Sequence, residues 1–159
     1  MKKESPLSEY LNKFQELSNQ EKKLTNIAFL SSFTINGLSE TIQVKCNEKK
    51  IYCNTYTGGY NQFSQEILNL KSKLYNFSPS LTFLILDLRS LLGNVFFFPY
   101  SYTEKEKKEL INSKLNELFE IITFFVKHSN SKLVLTNFNP PSYSSYGIAS
   151  MKSNFNLKD

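Results

Sequence analysis

The first apolar run of the chain, residues 26–31, ends in a group of hydroxyl side chains: Ser31, Ser32 and Thr34. The length and composition of this run predict a β-strand. In an open α/β sheet, ligands bind outside the carboxyl ends of the strands, so these three hydroxyls are candidate ligand contacts. A serine in such a place could also act as a nucleophile, provided that a base lies within hydrogen-bond reach.

A second group of polar residues follows the next β-rich run, residues 51–57. This run ends at Gly58–Gly59 and continues directly into Tyr60, Asn61 and Gln62. Paired glycines allow a tight turn or a close approach of the backbone to another group. Residues 59–62 could therefore contact a ligand, although a tight turn before a helix requires the same residue types.

A charged pair stands at the end of the third run, residues 81–88. The run is nearly all apolar, as in a central parallel strand that is covered on both faces. Asp87 lies near its end, and Arg89 follows two positions later. Two interpretations remain open: the pair binds a polar group of a ligand, or the two side chains pair with each other and close the strand end.

Nucleophilic serine chemistry also needs a base that a third group orients. His128 is the one histidine of the chain, and it falls at the end of a predicted helix over 103–129, before the fourth strand. A histidine in the last turn of a helix is more often a partner of the helix dipole than a catalyst. We therefore interpret Ser32 as a polar ligand or a structural hydroxyl.

The predicted elements alternate between strands and helices. An amphipathic helix occupies the N-terminal segment 1–23, where Leu7, Tyr10, Leu11, Phe14 and Leu17 keep a helical spacing. Strands are predicted at 26–31, 51–57, 81–88 and 132–138, and helices begin at Thr34 as N-cap, at Phe63 and at Thr103, with a loop over 71–80. This order predicts a three-layer α/β domain, 24–159, with a parallel sheet and helices on both faces. Four strands are predicted within this chain, and we expect a fifth beyond it. The residues after 138 are predicted to form a loop.

Composition restricts the partners. The formal charge of +5 comes from scattered lysines, since Arg89 is the one arginine, and this does not favour nucleic-acid binding. The apolar stretch 81–100 contains two charged residues, and no signal peptide is visible, so no membrane partner is expected. Cys46 and Cys53 are predicted to be free thiols in a reducing compartment. The expected location is the cytoplasm.

Four blocks carry a family resemblance. They are IAFLSSFTINGL at 27–38, YTGGYNQFSQEILN at 56–69, KSKLYNFSPSLTFLILDLRSLL at 71–92 and PPSYSSYG at 140–147. In order and spacing they resemble the N-terminal domain of FkbH-like proteins, from about Leu24 to the C-terminus. The glycine, tyrosine and glutamine of the second block and the Ser72–Tyr75 motif are the more specific parts. The chain departs from the family at Ser80, where Pro79 is often followed by aspartate.

The resemblance implies a flavodoxin-like sheet similar to that of SGNH hydrolases, followed in the full-length protein by a haloacid-dehalogenase-type domain. It also implies work on glyceryl units that an acyl carrier protein carries in polyketide-type biosynthesis. The implied partners are the downstream catalytic domain and the carrier protein. Mg²⁺ is implied for the catalytic domain, whereas this chain is expected to hold no cofactor, because Asp87 and Asp159 form no Asp-x-Asp pair.

Two functions follow as expectations. The first is a non-catalytic accessory domain of an FkbH-like protein. The alternative is an SGNH-type serine esterase, in which Ser32 takes the nucleophile's position, Gly59 that of the second-block glycine and, loosely, Asn94 that of the third-block asparagine. The aromatic residues Phe96, Phe97, Phe98 and Tyr100 are predicted to pack in the core rather than to form a partner surface.

Overall fold

The computed structural model describes residues 7–17 and 24–138. Its four strands are β1 (Thr25–Ser31), β2 (Cys53–Thr57), β3 (Leu81–Ile85) and β4 (Lys132–Leu135). Its helices are α1 (Leu7–Glu16), α2 (Leu38–Glu48), α3 (Phe63–Leu68), α4 (Lys73–Phe77), α5 (Leu88–Leu92), α6 (Asn94–Phe97) and α7 (Glu104–His128), with a 3₁₀ turn at Pro99–Ser101.

The strands form one parallel sheet in the order β2-β1-β3-β4. Ala28 in the middle of β1 stands opposite Tyr56 of β2 and Thr82 of β3. Strand β1 is buried from Ile27 onward, because it has a neighbour on each side and helices over both faces. The predicted α/β architecture is confirmed.

Alternating side chains of β1 supply two cores. Ala28 and Leu30 point to one face, where they pack with α3 and with Ile121 and Phe125 of α7. Ile27 and Phe29 point to the other face and pack beneath α2. The period of two along the strand thus divides its apolar side chains between two helical layers.

The long helix α7 begins as its sequence predicts. The Thr103 hydroxyl accepts a hydrogen bond from the Glu106 backbone N–H, and the Glu106 carboxylate accepts one from the Thr103 N–H, which completes a capping box. The bond from the Thr103 N–H, and then a second bond that the Thr103 hydroxyl donates to the same carboxylate, hold the pKa of Glu106 below its ordinary value. Leu118, Ile121 and Phe125 then face the sheet.

Helix α1 lies against α2. The Lys45 ammonium stands 4.8 Å from the centre of the Tyr10 ring, which is within cation–π distance. A Cβ built on Gly37 would come within 2.8 Å of the Leu7 side chain, so the absence of a side chain at Gly37 lets α1 approach. No residue of α1 is buried, and the helix adds to the outer layer rather than to the core.

Several predicted boundaries are wrong. Thr34 is exposed and caps no helix, because Gly37, in the left-handed region at φ 82°, ends the turn and α2 begins at Leu38. The predicted loop at 71–80 contains α4. The third strand ends at Ile85 instead of continuing to 88, because Asp87 is the N-cap residue of α5. The predicted strand at 132–138 ends at Leu135.

The structure also bears on the predicted free thiols, on membrane-spanning helices and on the expected fifth strand. Cys46 and Cys53 are free thiols, and burial raises the pKa of Cys53 to about 11. Within 7–17 and 24–138 no helix is both long and apolar enough to cross a bilayer. No fifth strand occurs in the part of the chain that is described, and the predicted loop after 138 lies outside it.

Candidate functional site

Ser31 and Ser32 lie at the carboxyl end of β1, as predicted, but neither side chain reaches solvent. Ser32 has 0% of its surface exposed and Ser31 has 4%. The Ser31 hydroxyl accepts a hydrogen bond from the Phe33 N–H at 3.1 Å. A nucleophile must meet its substrate, and a fully buried hydroxyl does not.

The Ser32 hydroxyl is used inside the fold. It accepts a hydrogen bond from the Asp87 backbone N–H at 2.8 Å, and the Ser32 N–H donates to the Ile85 carbonyl oxygen at 3.1 Å. The Ser90 hydroxyl donates to the Ser32 carbonyl oxygen at 3.2 Å. These bonds join the exits of β1 and β3, so Ser32 is a structural hydroxyl in this conformation.

The two glycines after β2 have different neighbours. The Gly58 N–H donates to the Phe29 carbonyl oxygen at 2.9 Å, and a Cβ on Gly58 would come within 2.7 Å of the buried Leu30 side chain. A Cβ on Gly59 would collide with the amide of Gln62, which folds back over it. Gly58 therefore permits close strand packing, and Gly59 gives room to a side chain at the rim.

The three residues after Gly59 are exposed at the carboxyl edge. Tyr60 has 69% of its surface exposed, and Asn61 and Gln62 are also exposed. Asn61 adopts a left-handed conformation, φ 52°, and its N–H donates to the Ser31 carbonyl oxygen at 3.2 Å. The structure thus brings this turn beside the end of β1.

Asp87 and Arg89 pair with each other. Arg89 Nε lies 2.9 Å from Asp87 Oδ2, with the Arg89 side chain 58% exposed. Of the two interpretations of this pair, the strand-end ion pair agrees with the geometry. A surface pair of this kind contributes about 0–1 kcal/mol to stability, so it also leaves Arg89 available to an anion at low cost.

His128 is at the opposite edge of the sheet. Ser32 follows the carboxyl end of β1, whereas His128 precedes the amino end of β4, and parallel strands of this length separate the two edges by roughly 15 Å. His128 Nδ1 hydrogen-bonds to the Phe124 carbonyl oxygen at 2.8 Å, and its ring stacks on Phe124. It completes the last turn of α7 and cannot act as the base for Ser32 in this arrangement.

A polar group that sequence reasoning missed lies beside the second turn. The Glu66 carboxylate on α3 accepts hydrogen bonds from the Tyr56 hydroxyl at 2.8 Å and from the Leu74 N–H at 3.0 Å. The Ser72 hydroxyl donates to the Glu66 carbonyl oxygen at 2.7 Å. One carboxylate therefore joins β2, α3 and α4. The one sequence feature that points to this group is that Tyr56, Glu66 and Ser72 fall within the second and third of the four blocks that resemble the family.

These groups border a cleft of about 490 Å³ at the carboxyl end of β2. Gly59 and Gln62 line it, together with Glu66, Lys71 and Lys73. Of the predicted site residues, only Gly59 and Gln62 line this cleft; Ser31 and Ser32 are buried at the strand junction, and Arg89 is exposed outside the cleft. The cleft offers amide, carboxylate and ammonium groups, which suit binding of a polar ligand rather than nucleophilic chemistry.

The comparisons with known proteins show the fold. No protein-family model matches the chain, and no curated protein matches it significantly. Among solved structures, it is similar to the N-terminal part of the protein BF1531 from Bacteroides fragilis, which contains a phosphatase domain and is complexed with Mg. The TM-score is 0.69 at 14% sequence identity, over 91% of this chain and 36% of that one.

That likeness confirms the α/β fold of the chain. The chain spans 36% of the length of the solved chain, which is itself the N-terminal part of that protein. Within the described residues, no group of three or more His, Cys, Asp or Glu side chains could hold a metal ion.

The aromatic run after α5 does not pack as predicted. Phe96 is buried, but Phe97, Phe98 and Tyr100 are exposed by 44%, 50% and 63%. Their rings contact one another, with Phe98 edge-on to Tyr100. We call these three residues the aromatic patch. The prediction of core packing is wrong for them because α6 and the 3₁₀ turn are short and bury only Val95, Phe96 and Pro99.

The hydroxyl of Tyr56 provides a test of the cleft's polar group. Burial, and then its bond to Glu66, raises the pKa of Tyr56 above its ordinary value of 10.0. Because the pKa of Tyr56 is higher in the folded state than in the unfolded state, the protonated hydroxyl contributes stability that is fully present below pH 10. This contribution is lost as the pH rises above 10. Tyr56→Phe should therefore lower stability at pH 8 by about 1 kcal/mol and make the fall between pH 10 and 11 shallower.

Urea unfolding followed from pH 8 to pH 11 measures both effects. Tyr100→Phe is the matched control, since Tyr100 is exposed, and its curve should follow that of the parent protein. Tyr75 and Cys53, whose pKa values are also raised, keep part of the slope in every variant. Parallel curves for Tyr56→Phe and the parent would contradict the assigned bond.

Proposed function

We propose that this chain is a non-catalytic accessory domain of a longer, cytoplasmic, FkbH-like protein, and that it positions a partner instead of carrying out chemistry itself. The observation that carries the proposal is the Ser32 hydroxyl, which has no exposed surface and bonds to the Asp87 N–H. A position that would serve as a nucleophile in an SGNH hydrolase is here part of the strand junction.

The position of the histidine supports the same proposal, because His128 lies at the other edge of the sheet. Serine catalysis without a base within hydrogen-bond reach loses its proton acceptor. The esterase alternative is thus the weaker of the two.

The partner side of the proposal rests on resemblance and on exposed surface. The sequence blocks resemble FkbH-like proteins, whose downstream domain would hold Mg²⁺ and transfer glyceryl units to an acyl carrier protein. The similar solved structure belongs to a protein that contains a phosphatase domain. The aromatic patch follows α5 at the carboxyl edge of the sheet and offers apolar rings to that downstream domain.

Hydrolysis of short acyl esters, measured for the parent chain and for Ser32→Ala, tests the absence of catalysis. We expect equal and negligible rates, because neither protein has an accessible nucleophile with a base. A rate above background that is lost in Ser32→Ala would establish the esterase and overturn the proposal. Circular dichroism of both proteins shows whether the variant folds.

The accessory role has a separate test in the full-length protein. Phe98→Ala with Tyr100→Ala should reduce glyceryl loading of the carrier protein, while the exposed pair Lys105→Ala with Glu109→Ala, on α7, should leave it unchanged. Unchanged loading in the aromatic variant would remove the patch from the proposal. Normal loading after deletion of the whole domain would end the accessory role itself.

A further inference from the structure

Two thiols lie in one apolar cluster at the amino end of β2. Cys46 is on α2 and Cys53 is the first residue of β2, and these are the two cysteines of the chain. Cys53 is buried with Phe29 beneath α2, and Cys46 packs against the same cluster. Leu38, Ile42 and Cys46 follow one another at spacings of four, so they lie on one side of the helix. The packing of that side on the sheet brings the two thiols together.

The backbone between the two cysteines reverses direction in a Schellman motif. The Ile51 N–H donates to the Cys46 carbonyl oxygen at 2.9 Å. The Lys50 N–H donates to the Asn47 carbonyl oxygen at 2.8 Å, and Lys50 takes the left-handed conformation of this motif, φ 62°. The turn leads the chain back along the last turn of α2, and Cys53 follows two residues after Ile51. The fold of the helix end therefore holds Cys53 beside Cys46.

The two thiols differ in their access to solvent. Cys46 is partly exposed, whereas Cys53 has 7% of its surface exposed. Burial, and then the neighbouring Cys46 thiol, raise the pKa of Cys53 to about 11, so Cys53 is a protonated thiol at neutral pH. One thiol acts on the pKa of another in this way only at close range. A dissolved oxidant reacts with accessible sulfur, so it meets Cys46 first and finds Cys53 behind it.

We propose that Cys46 and Cys53 are a reversible oxidation site, at which a hydroperoxide closes a disulfide between α2 and β2. In the first step the Cys46 sulfur attacks one peroxide oxygen, so that an S–O bond forms and the O–O bond breaks. The sulfur loses two electrons and becomes a sulfenic acid. The peroxide is reduced, and its other oxygen leaves as water or an alcohol with the thiol proton.

Cys53 completes the disulfide in the second step. Its sulfur attacks the sulfenic sulfur of Cys46, an S–S bond forms, the S–O bond breaks, and water leaves with the Cys53 proton. A dithiol reverses the result by two exchange steps, which return both cysteines to thiols and leave the dithiol oxidised. The disulfide fastens the end of α2 to the start of β2. This inference is independent of the proposed function.

Peroxide treatment of the reduced 159-residue chain tests the site. The chain is exposed to hydrogen peroxide, remaining thiols are blocked with N-ethylmaleimide, and tryptic peptides are analysed by mass spectrometry. Lys49 and Lys50 lie between the cysteines, so trypsin separates them. We expect peptides 46–49 and 51–71 to be recovered as one linked species, about 2 Da lighter than their sum, that reduction separates.

Two matched variants test the order of the steps. In Cys53→Ala the second thiol is missing, so the sulfenic acid of Cys46 should persist and be trapped by dimedone. In Cys46→Ala the buried Cys53 should be labelled at least about tenfold more slowly. Circular dichroism shows whether each variant folds. Faster labelling of Cys53 than of Cys46 would contradict the assigned roles.

Other outcomes overturn the proposal. Two thiols still free after peroxide treatment, a sulfinic acid at Cys46 without a disulfide, or a disulfide between two chains would each do so. An unfolded chain can also close so short a loop, so equilibrium with reduced and oxidised glutathione is measured in buffer and in urea. We expect the disulfide to be favoured at least about tenfold more in buffer, and equal constants would mean that the fold does not position the thiols.

Discussion

Phe125→Ala should destabilise the domain by about 3–5 kcal/mol, the largest loss that we expect from a single change in the described part of the chain. Phe125 has no exposed surface, and it packs with Ala28, Leu30 and Leu84 of the two central strands. Removing its ring leaves a cavity between α7 and the sheet, and that cavity cannot fill because β1 and β3 are fixed by their ladders. Urea unfolding at pH 7 measures the change.

Phe97→Ala is the control for that prediction. Phe97 is also a phenylalanine on a helix, but 44% of its surface is exposed, and its ring contacts those of Phe96 and Phe98. A loss below about 1 kcal/mol is expected, as for substitutions away from the core. Equal losses for the two variants would mean that α7 does not supply the main apolar contact of that sheet face.

Glu66→Ala should cost about 2–3 kcal/mol, because it removes the acceptor of two hydrogen bonds at once. The Tyr56 hydroxyl and the Leu74 N–H would both lose their partner, and α4 would keep its bond from the Tyr75 hydroxyl to the Ile67 carbonyl oxygen of α3. Glu66→Gln should cost less, since its amide oxygen can still accept from Tyr56 whereas its nitrogen cannot accept from Leu74. Chemical unfolding of both variants gives the order.

An exposed glutamate serves as the reference for this pair. Glu109 lies on α7, 3.8 Å from Lys105 with its side chain 65% exposed, and Glu109→Ala should change stability by about 0.5 kcal/mol or less. If Glu66→Ala lost no more than Glu109→Ala, the carboxylate would not join the elements around the cleft. A loss in Glu66→Gln equal to that in Glu66→Ala would instead place the whole effect on the Leu74 bond.

Periodicity predicted the elements of this fold better than their ends. The β-rich runs around Phe29 and Leu84 and the helical period of α7 give an unambiguous α/β order. The predicted start of α2 at Thr34 was wrong, because the helix begins after Gly37. Gly37 adopts a left-handed conformation, and no side chain caps the helix there. Helix α4 was missed because five residues are too few to show a period.

The sequence was enough to predict that the candidate site lies at the carboxyl edge of the sheet, but not which contacts its side chains make. Parallel strands bring Ser32, residues 59–62 and Asp87 to the same edge whatever their side chains do. Whether a hydroxyl at that edge is exposed depends on the main-chain path of the next strand, here the Asp87 N–H, and a single sequence does not contain that information. The Glu66 bonds join residues eight and ten positions apart, and their types alone fit many surface helices.

The bonds of Ser32 also limit what its presence can mean. A small hydroxyl residue is favoured there because the exits of β1 and β3 need an acceptor in a space with no room for a larger side chain. These bonds favour a serine at this position for reasons of folding alone. A serine at the end of a first strand does not by itself indicate a nucleophile, and the exposure of its hydroxyl is the property to examine first.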